Sequence, residues 1–246
     1  MAVHCQIEAG VAIITIDRPE VRNAIDQATA HDISVSVGAA DANGRVGVIL
    51  LTGTGGDFCA GMDLEAFLRG EQMRSPVNGF AGVTQRVLKK PMIAAVEGWA
   101  LAEGFEMALA CDMIVAADDA RFGLDQTARG LVPHAGGLVR LPRQLPPKIA
   151  AELVMTAETV SASFLASHGL INRIAPHGQA LSAARQLAAR TIANDAQAIA
   201  ISKRVLSESP DWSESEMFAR QDAITAPLFA SAMARAEPAR STEKSS

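Results

Sequence analysis

The 246-residue sequence has only three cysteines, no lysine/arginine cluster and no apolar run approaching the length of a membrane span. Cys5, Cys59 and Cys111 make no C-x-x-C spacing, so no zinc pattern forms, and they read as reduced, mostly buried small side chains. A formal net charge of −5 offers no basic footprint for nucleic acid. The polar start, Met-Ala-Val-His-Cys-Gln-Ile-Glu, does not fit a secretory leader. A cytoplasmic protein without membrane or nucleic-acid partners is the expectation. No tandem repeat of solenoid length is visible either.

What is present is apolar residue, 49% of the chain, enough for a substantial core. Gln6 to Ile16 reads as a hairpin turning at Ala9-Gly10, and Asp26 to Ala40 as a helix. Val46 to Leu51 and Met92 to Val96 read as buried strands, each running into a glycine-rich turn and then a helix. Between Glu65 and Gln85 the apolar residues thin out, which predicts a loop beside the site. Met113 to Ala117 predicts another strand, and helices follow over Pro147–Thr156, 161–168, 179–194 and 196–207. Leu181, Ala184, Leu187 and Ala188 mark an amphipathic face. A last helix runs from Ser213 towards Pro238, with a disordered tail from Arg240. The expected organisation is a core over residues 1–190 and a C-terminal helical region and tail over 191–246.

Two stretches carry chemistry. Val96 to Cys111 places one carboxylate, Glu106, just inside an almost wholly apolar helix. A helix that begins in a glycine-containing turn offers free N–H groups and the positive end of its dipole to an anion. A carboxylate buried there is driven towards its neutral form. Upstream, Thr52-Gly-Thr-Gly-Gly-Asp-Phe-Cys-Ala-Gly-Met-Asp-Leu is a second glycine-rich turn at a strand end, where sites lie in layered α/β proteins. Each turn could supply one main-chain N–H to a shared cavity.

Three segments make the pattern specific: Phe58-Cys-Ala-Gly-Met-Asp-Leu, Gly98 to Asp112, and Phe122-Gly-Leu-Asp-Gln through Gly130-Leu-Val-Pro-His-Ala-Gly-Gly-Leu-Val-Arg-Leu. From near Ile13 to Leu228 the chain resembles the crotonase family, the enoyl-CoA hydratase/isomerase superfamily. The resemblance implies an α/β spiral of repeated strand–strand–helix turns, with a C-terminal helical region that packs trimers, usually paired into hexamers. It also implies an acyl-CoA thioester substrate, with coenzyme A present only as part of that substrate and no metal.

By the same resemblance, Arg22, Asn23 and Ala24, with Ala60, Asp63 and Leu64, lie along coenzyme A. The oxyanion donors are the main-chain N–H groups of Met62 and Glu103, and Glu106 is the first of two catalytic glutamates. Two positions depart from the pattern. Position 103 is usually glycine or another small residue, and the Glu103 side chain is expected to point to solvent. The second catalytic glutamate falls on Gln126, which can orient water by donating and accepting but cannot carry a proton. Asp125 and His134 are candidates to replace it, since histidine titrates near neutral pH. The implied activity is hydration of 2-enoyl-CoA. Isomerisation by one carboxylate and a catalytically lapsed acyl-CoA binder are the alternatives.

Overall fold

The structure, a computed structural model, describes residues 2–236. The chain divides into two compact units, Met1–Ala193 and Asn194–Ser246. The first unit opens with the hairpin β1 (Val3–Glu8) and β2 (Val11–Ile16), whose turn residues Ala9 and Gly10 both take positive φ. Helix α1 (Gln27–Ala42) follows, capped by Asp26, whose side chain accepts from Thr29 N–H. Next come β3 (Val48–Gly53), the short α2 (Leu64–Leu68), β4 (Arg74–Ser75), β5 (Gly79–Phe80), β6 (Met92–Val96), β7 (Trp99–Leu101) and α3 (Glu103–Ala110). Then β8 (Met113–Ala117), β9 (Arg121–Gly123), a 3-10 turn (Asp125–Arg129), α4 (Gly137–Gln144), α5 (Pro147–Thr156) and β10 (Val160–Ser161) follow. The unit ends with α6 (Ala162–Ser167), β11 (Arg173–Ala175) and α7 (Ala180–Ile192).

Six strands form the main sheet in the order β1-β2-β3-β6-β8-β11. Only β1 runs antiparallel to its neighbour. Strand residues alternate between faces, and the core divides accordingly. Ile13, Leu50, Ile93, Ala95 and Val115 pack under α7 with Ala184 and Ala188, and Leu181 and Leu187 close the edges. This is the amphipathic face that the sequence predicts. Ile14, Ile49, Leu51, Ala94, Val96 and Ile114 point the other way, into the larger core beneath α1.

That larger core carries a second layer, and the site is built on it. After β3, β6 and β8 the chain turns into a short extended segment and then a helix, and these segments stack. β7 pairs in parallel with β9, and β9 pairs with β10. On the other side of β7, Cys59 bridges Ala100, and Met62 bridges Ile25. Each strand–strand–helix turn thus lies beside the next, which is the crotonase-like spiral that the resemblance implies. Phe105 on α3 and Phe122 on β9 meet edge-on at 5.2 Å, both fully buried, and lock two successive turns together.

The second unit holds α8 (Ala196–Glu208), capped by Asp195, and α9 (Met217–Ala236), and these two helices contact each other. The expected stop at Pro238 and the tail from Arg240 lie outside the described residues. Among the described residues no helix is long and apolar enough to cross a membrane.

Candidate active site

The two glycine-rich turns do converge. The segment after β3 runs against β7, with Cys59 N–H donating to Trp99 O at 3.0 Å and Leu101 N–H donating to Cys59 O at 3.0 Å. This ladder sets Met62 beside the first turn of α3. Gly104 is required at that approach, since a Cβ there would lie 2.2 Å from Cys59 O. Just before α3, Ala102 takes φ 46 and ψ −123, a backbone region that L residues avoid, and turns the chain so that α3 begins at Glu103. Nothing precedes Glu103 in the helix for its own N–H to bond.

The Glu103 side chain does not point to solvent, which corrects the expectation. Its Oε2 accepts from Met62 N–H at 2.9 Å, and its Oε1 accepts from Gln126 Nε2 at 3.3 Å. The physical reason is that Met62 N–H and the Gln126 amide are two donors that a solvent-facing rotamer would forgo. Met62 and Gln126 are separated from position 103 by 41 and 23 residues, so only the folded chain brings these donors there. The donor N–H of Met62 is thus occupied by a carboxylate oxygen of the protein itself.

Glu106 is fully buried. Its Oε1 accepts from Gly137 N–H at 2.7 Å, and its Oε2 accepts from Gln126 Nε2 at 3.0 Å. Burial pushes its carboxyl up to about 7, with the charge of Glu103 adding to the rise. The main-chain N–H groups of Gly137 and Ala135 and the Gln126 amide pull the other way without cancelling it. Gln126 therefore bridges two carboxylates with its amide N–H groups, and its own Oε1 is buried without a partner. The opposite amide orientation would set an oxygen against both carboxylates. This corrects the expected role of Gln126, because with its donors spent it can orient a water only by accepting.

The candidates for replacing the second glutamate fare differently. Asp125 is held by Arg129 in an ion pair and bonds neither Glu106 nor Gln126. His134 is exposed and lines a cavity of about 300 Å³ together with Met62 and Glu103. The remaining wall is largely apolar, from Phe67, Met73, Phe80, Leu131 and Val132. Phe67, Met73 and Phe80 come from the loop region read as lying beside the site, and Leu131 and Val132 from the stretch before His134.

The residues expected along coenzyme A are also gathered together. Ala60 N–H donates to Arg22 O at 2.9 Å, Ile25 N–H to Gly61 O at 2.8 Å and Asp63 N–H to Ile25 O at 2.9 Å, forming one rim. Arg22 and Leu64 are exposed on it. The Asp63 carboxylate is already used, capping α2 through Ala66 N–H and accepting from Arg18 at 3.2 Å. Sequence reading missed Arg18, which also donates to Ala24 O at 2.6 Å and pairs with Asp26. Its only signal is its place two residues after the second strand. Apart from this site, Glu97, Asp119 and His177 place ligand atoms within 4.8 Å of one another. Both oxygens of Glu97, however, accept main-chain N–H groups, from Gly178 and Ala180.

Known proteins share this fold. A family profile described as enoyl-CoA hydratase/isomerase matches residues 6–244. Carnitinyl-CoA dehydratase of Proteus mirabilis is 38% identical over 220 residues, covering 87% of this chain and 84% of its own. Mevalonyl-coenzyme A hydratase of Aspergillus fumigatus is 38% identical over 195 residues, covering 78% and 72%. The solved structure of the enoyl-CoA hydratase EchA1 from Mycobacterium marinum superposes with a TM-score of 0.92 at 44% identity, covering 95% of this chain and 92% of its own. With the strand–strand–helix spiral and the convergent turns already in view, the chain belongs to the enoyl-CoA hydratase/isomerase family.

Proposed function

We propose that the protein hydrates 2-enoyl-CoA thioesters, with Glu106 as the principal acid/base, and that this is its role in fatty acid or related acyl-CoA metabolism. The observation that carries the reading is a single fully buried carboxyl, Glu106, pushed up to about 7 and joined through Gln126 to Glu103, the acceptor of Met62 N–H. A group of that kind is present in both protonation states near neutral pH and can give or take a proton. Addition of water at C3 moves the double-bond electrons onto the thioester oxygen, and a proton delivered to C2 returns them. Two N–H donors aimed at that oxygen stabilise the enolate by several kcal/mol in such sites.

The apolar cavity takes the acyl chain, and the rim from Arg22 to Ala24, with Ala60, Asp63 and Leu64, takes the coenzyme A portion. A trimer or hexamer is part of the same reading, supported by the exposed apolar side chains Leu206, Phe218 and Phe229 of the second unit. Sedimentation of the intact protein tests it, and a monomer at micromolar concentration refutes it.

The test of activity is a panel of 2-enoyl-, 3-enoyl- and hydroxyacyl-CoA substrates followed by mass spectrometry, on the wild type and on Glu106→Gln. Hydration by the wild type and at least about a 100-fold loss in the variant are expected. Interconversion of 3-enoyl- and 2-enoyl-CoA without water uptake would instead establish the isomerase reading, which the amide at position 126 favours. Acyl-CoA binding without any product would establish a lapsed enzyme.

A further inference from the structure

Glu103, Gln126 and Glu106 form one bonded group, in which the amide of Gln126 donates to Glu103 Oε1 at 3.3 Å and to Glu106 Oε2 at 3.0 Å. The two positions that depart from the family pattern, a carboxylate gained at 103 and one lost at 126, therefore touch each other. We propose that the Glu103 side chain supplies the second catalytic carboxylate, taking the proton from the attacking water, while Gln126 holds it in register with Glu106. The inference rests on the hydratase reading and goes beyond it by naming the base.

Geometry supports the assignment. Glu103 faces the apolar cavity, on whose wall it lies with Met62 and His134. It is only partly buried, whereas Glu106 is fully buried in the resting protein. In the resting protein Glu103 Oε2 occupies Met62 N–H, the position that a thioester oxygen would take. An arriving thioester displaces that oxygen from Met62, and the carboxylate is left beside the substrate with its other oxygen tethered to Gln126.

The step balances. As the water oxygen bonds to C3, its proton passes to the Glu103 carboxylate and the C2=C3 electron pair moves onto the thioester oxygen. Protonated Glu106 then gives its proton to C2, the C=O re-forms, and the product is the 3-hydroxyacyl thioester. Glu103 ends protonated and Glu106 ionised; once product has left, return of one proton from Glu103 to Glu106 resets the pair, and the sum is the addition of one water. No oxidant or other co-reactant is needed.

The test compares wild type, Glu103→Gln, Glu103→Gly and the double variant Glu103→Gly/Gln126→Glu on one 2-enoyl-CoA turned over by the wild type. Both single variants should lose about 100-fold in kcat, with KM changed much less. The double variant, which moves the carboxylate to position 126, should recover at least about tenfold over Glu103→Gly. If Glu103 merely plugs the oxyanion site, Glu103→Gly frees Met62 N–H and kcat holds or rises, which overturns the assignment while leaving the hydratase reading intact. A wild type that hydrates no enoyl-CoA overturns both.

Discussion

A carboxylate held inside an apolar helix turn is thermodynamically expensive when ionised, and Glu106 should show this in stability as well as in rate. Its carboxyl stands near 7 against an ordinary 4.5, so between those values the native state binds more protons than the unfolded chain. Stability therefore falls as pH rises through that window, by on the order of 3 kcal/mol at about 1.4 kcal/mol per pH unit. Glu106→Gln removes the charge and keeps an acceptor for Gly137 N–H. It should melt higher than the wild type at pH 8, with the difference shrinking towards pH 4.5. A melting difference that does not change with pH would refute the buried-charge penalty. Glu106 was legible in the sequence because it stands as an isolated acid among Phe105, Met107, Ala108 and Leu109, side chains that a helix buries. The direction of the Glu103 side chain was not, because its rotamer depends on donors that arrive from distant segments.

At the scale of elements, the site depends on how closely α3 approaches the segment before α2. Gly104→Ala would set a methyl 2.2 Å from Cys59 O, and main chain has little room to yield. Overpacking of this kind costs about 1–3 kcal/mol or more. The shift it forces on Met62, roughly 1 Å, should lower kcat about 100-fold in the protein that remains folded. Melting and turnover measured on the same preparation check both, and a fully active variant would show that the approach is looser than described. The glycines of both turns could be read in sequence because they punctuate strands. The pairing of Cys59 with Ala100 could not, since such isolated bridges leave no periodic signal. The loop over 65–85 was legible as a loop, while the two-residue strands within it, β4 and β5, were too short to register.

At the scale of the whole first unit, α7 covers one face of the main sheet. The small residues Ala184 and Ala188 let the helix sit close to Ile93 and Val115. Ala188→Leu should cost about 1–3 kcal/mol by forcing the helix away, and should leave kcat/KM unchanged because the site lies on the sheet's other face. A combined loss of stability and activity would mean that the two faces are mechanically coupled.

The sequence by itself determined the opening hairpin, the strands β3, β6 and β8, the glycine-rich turns and the amphipathic face of α7, because each is written in local periodicity and in glycine placement. It also determined which segments would meet at a site, through three motifs in order. Only the tertiary structure decided what those residues do to one another. It turned Glu103 inward onto Met62 and spent both donors of Gln126 on carboxylates. Hydrogen bonds between groups 20 or more residues apart in the chain depend on three-dimensional packing, and no local pattern records them.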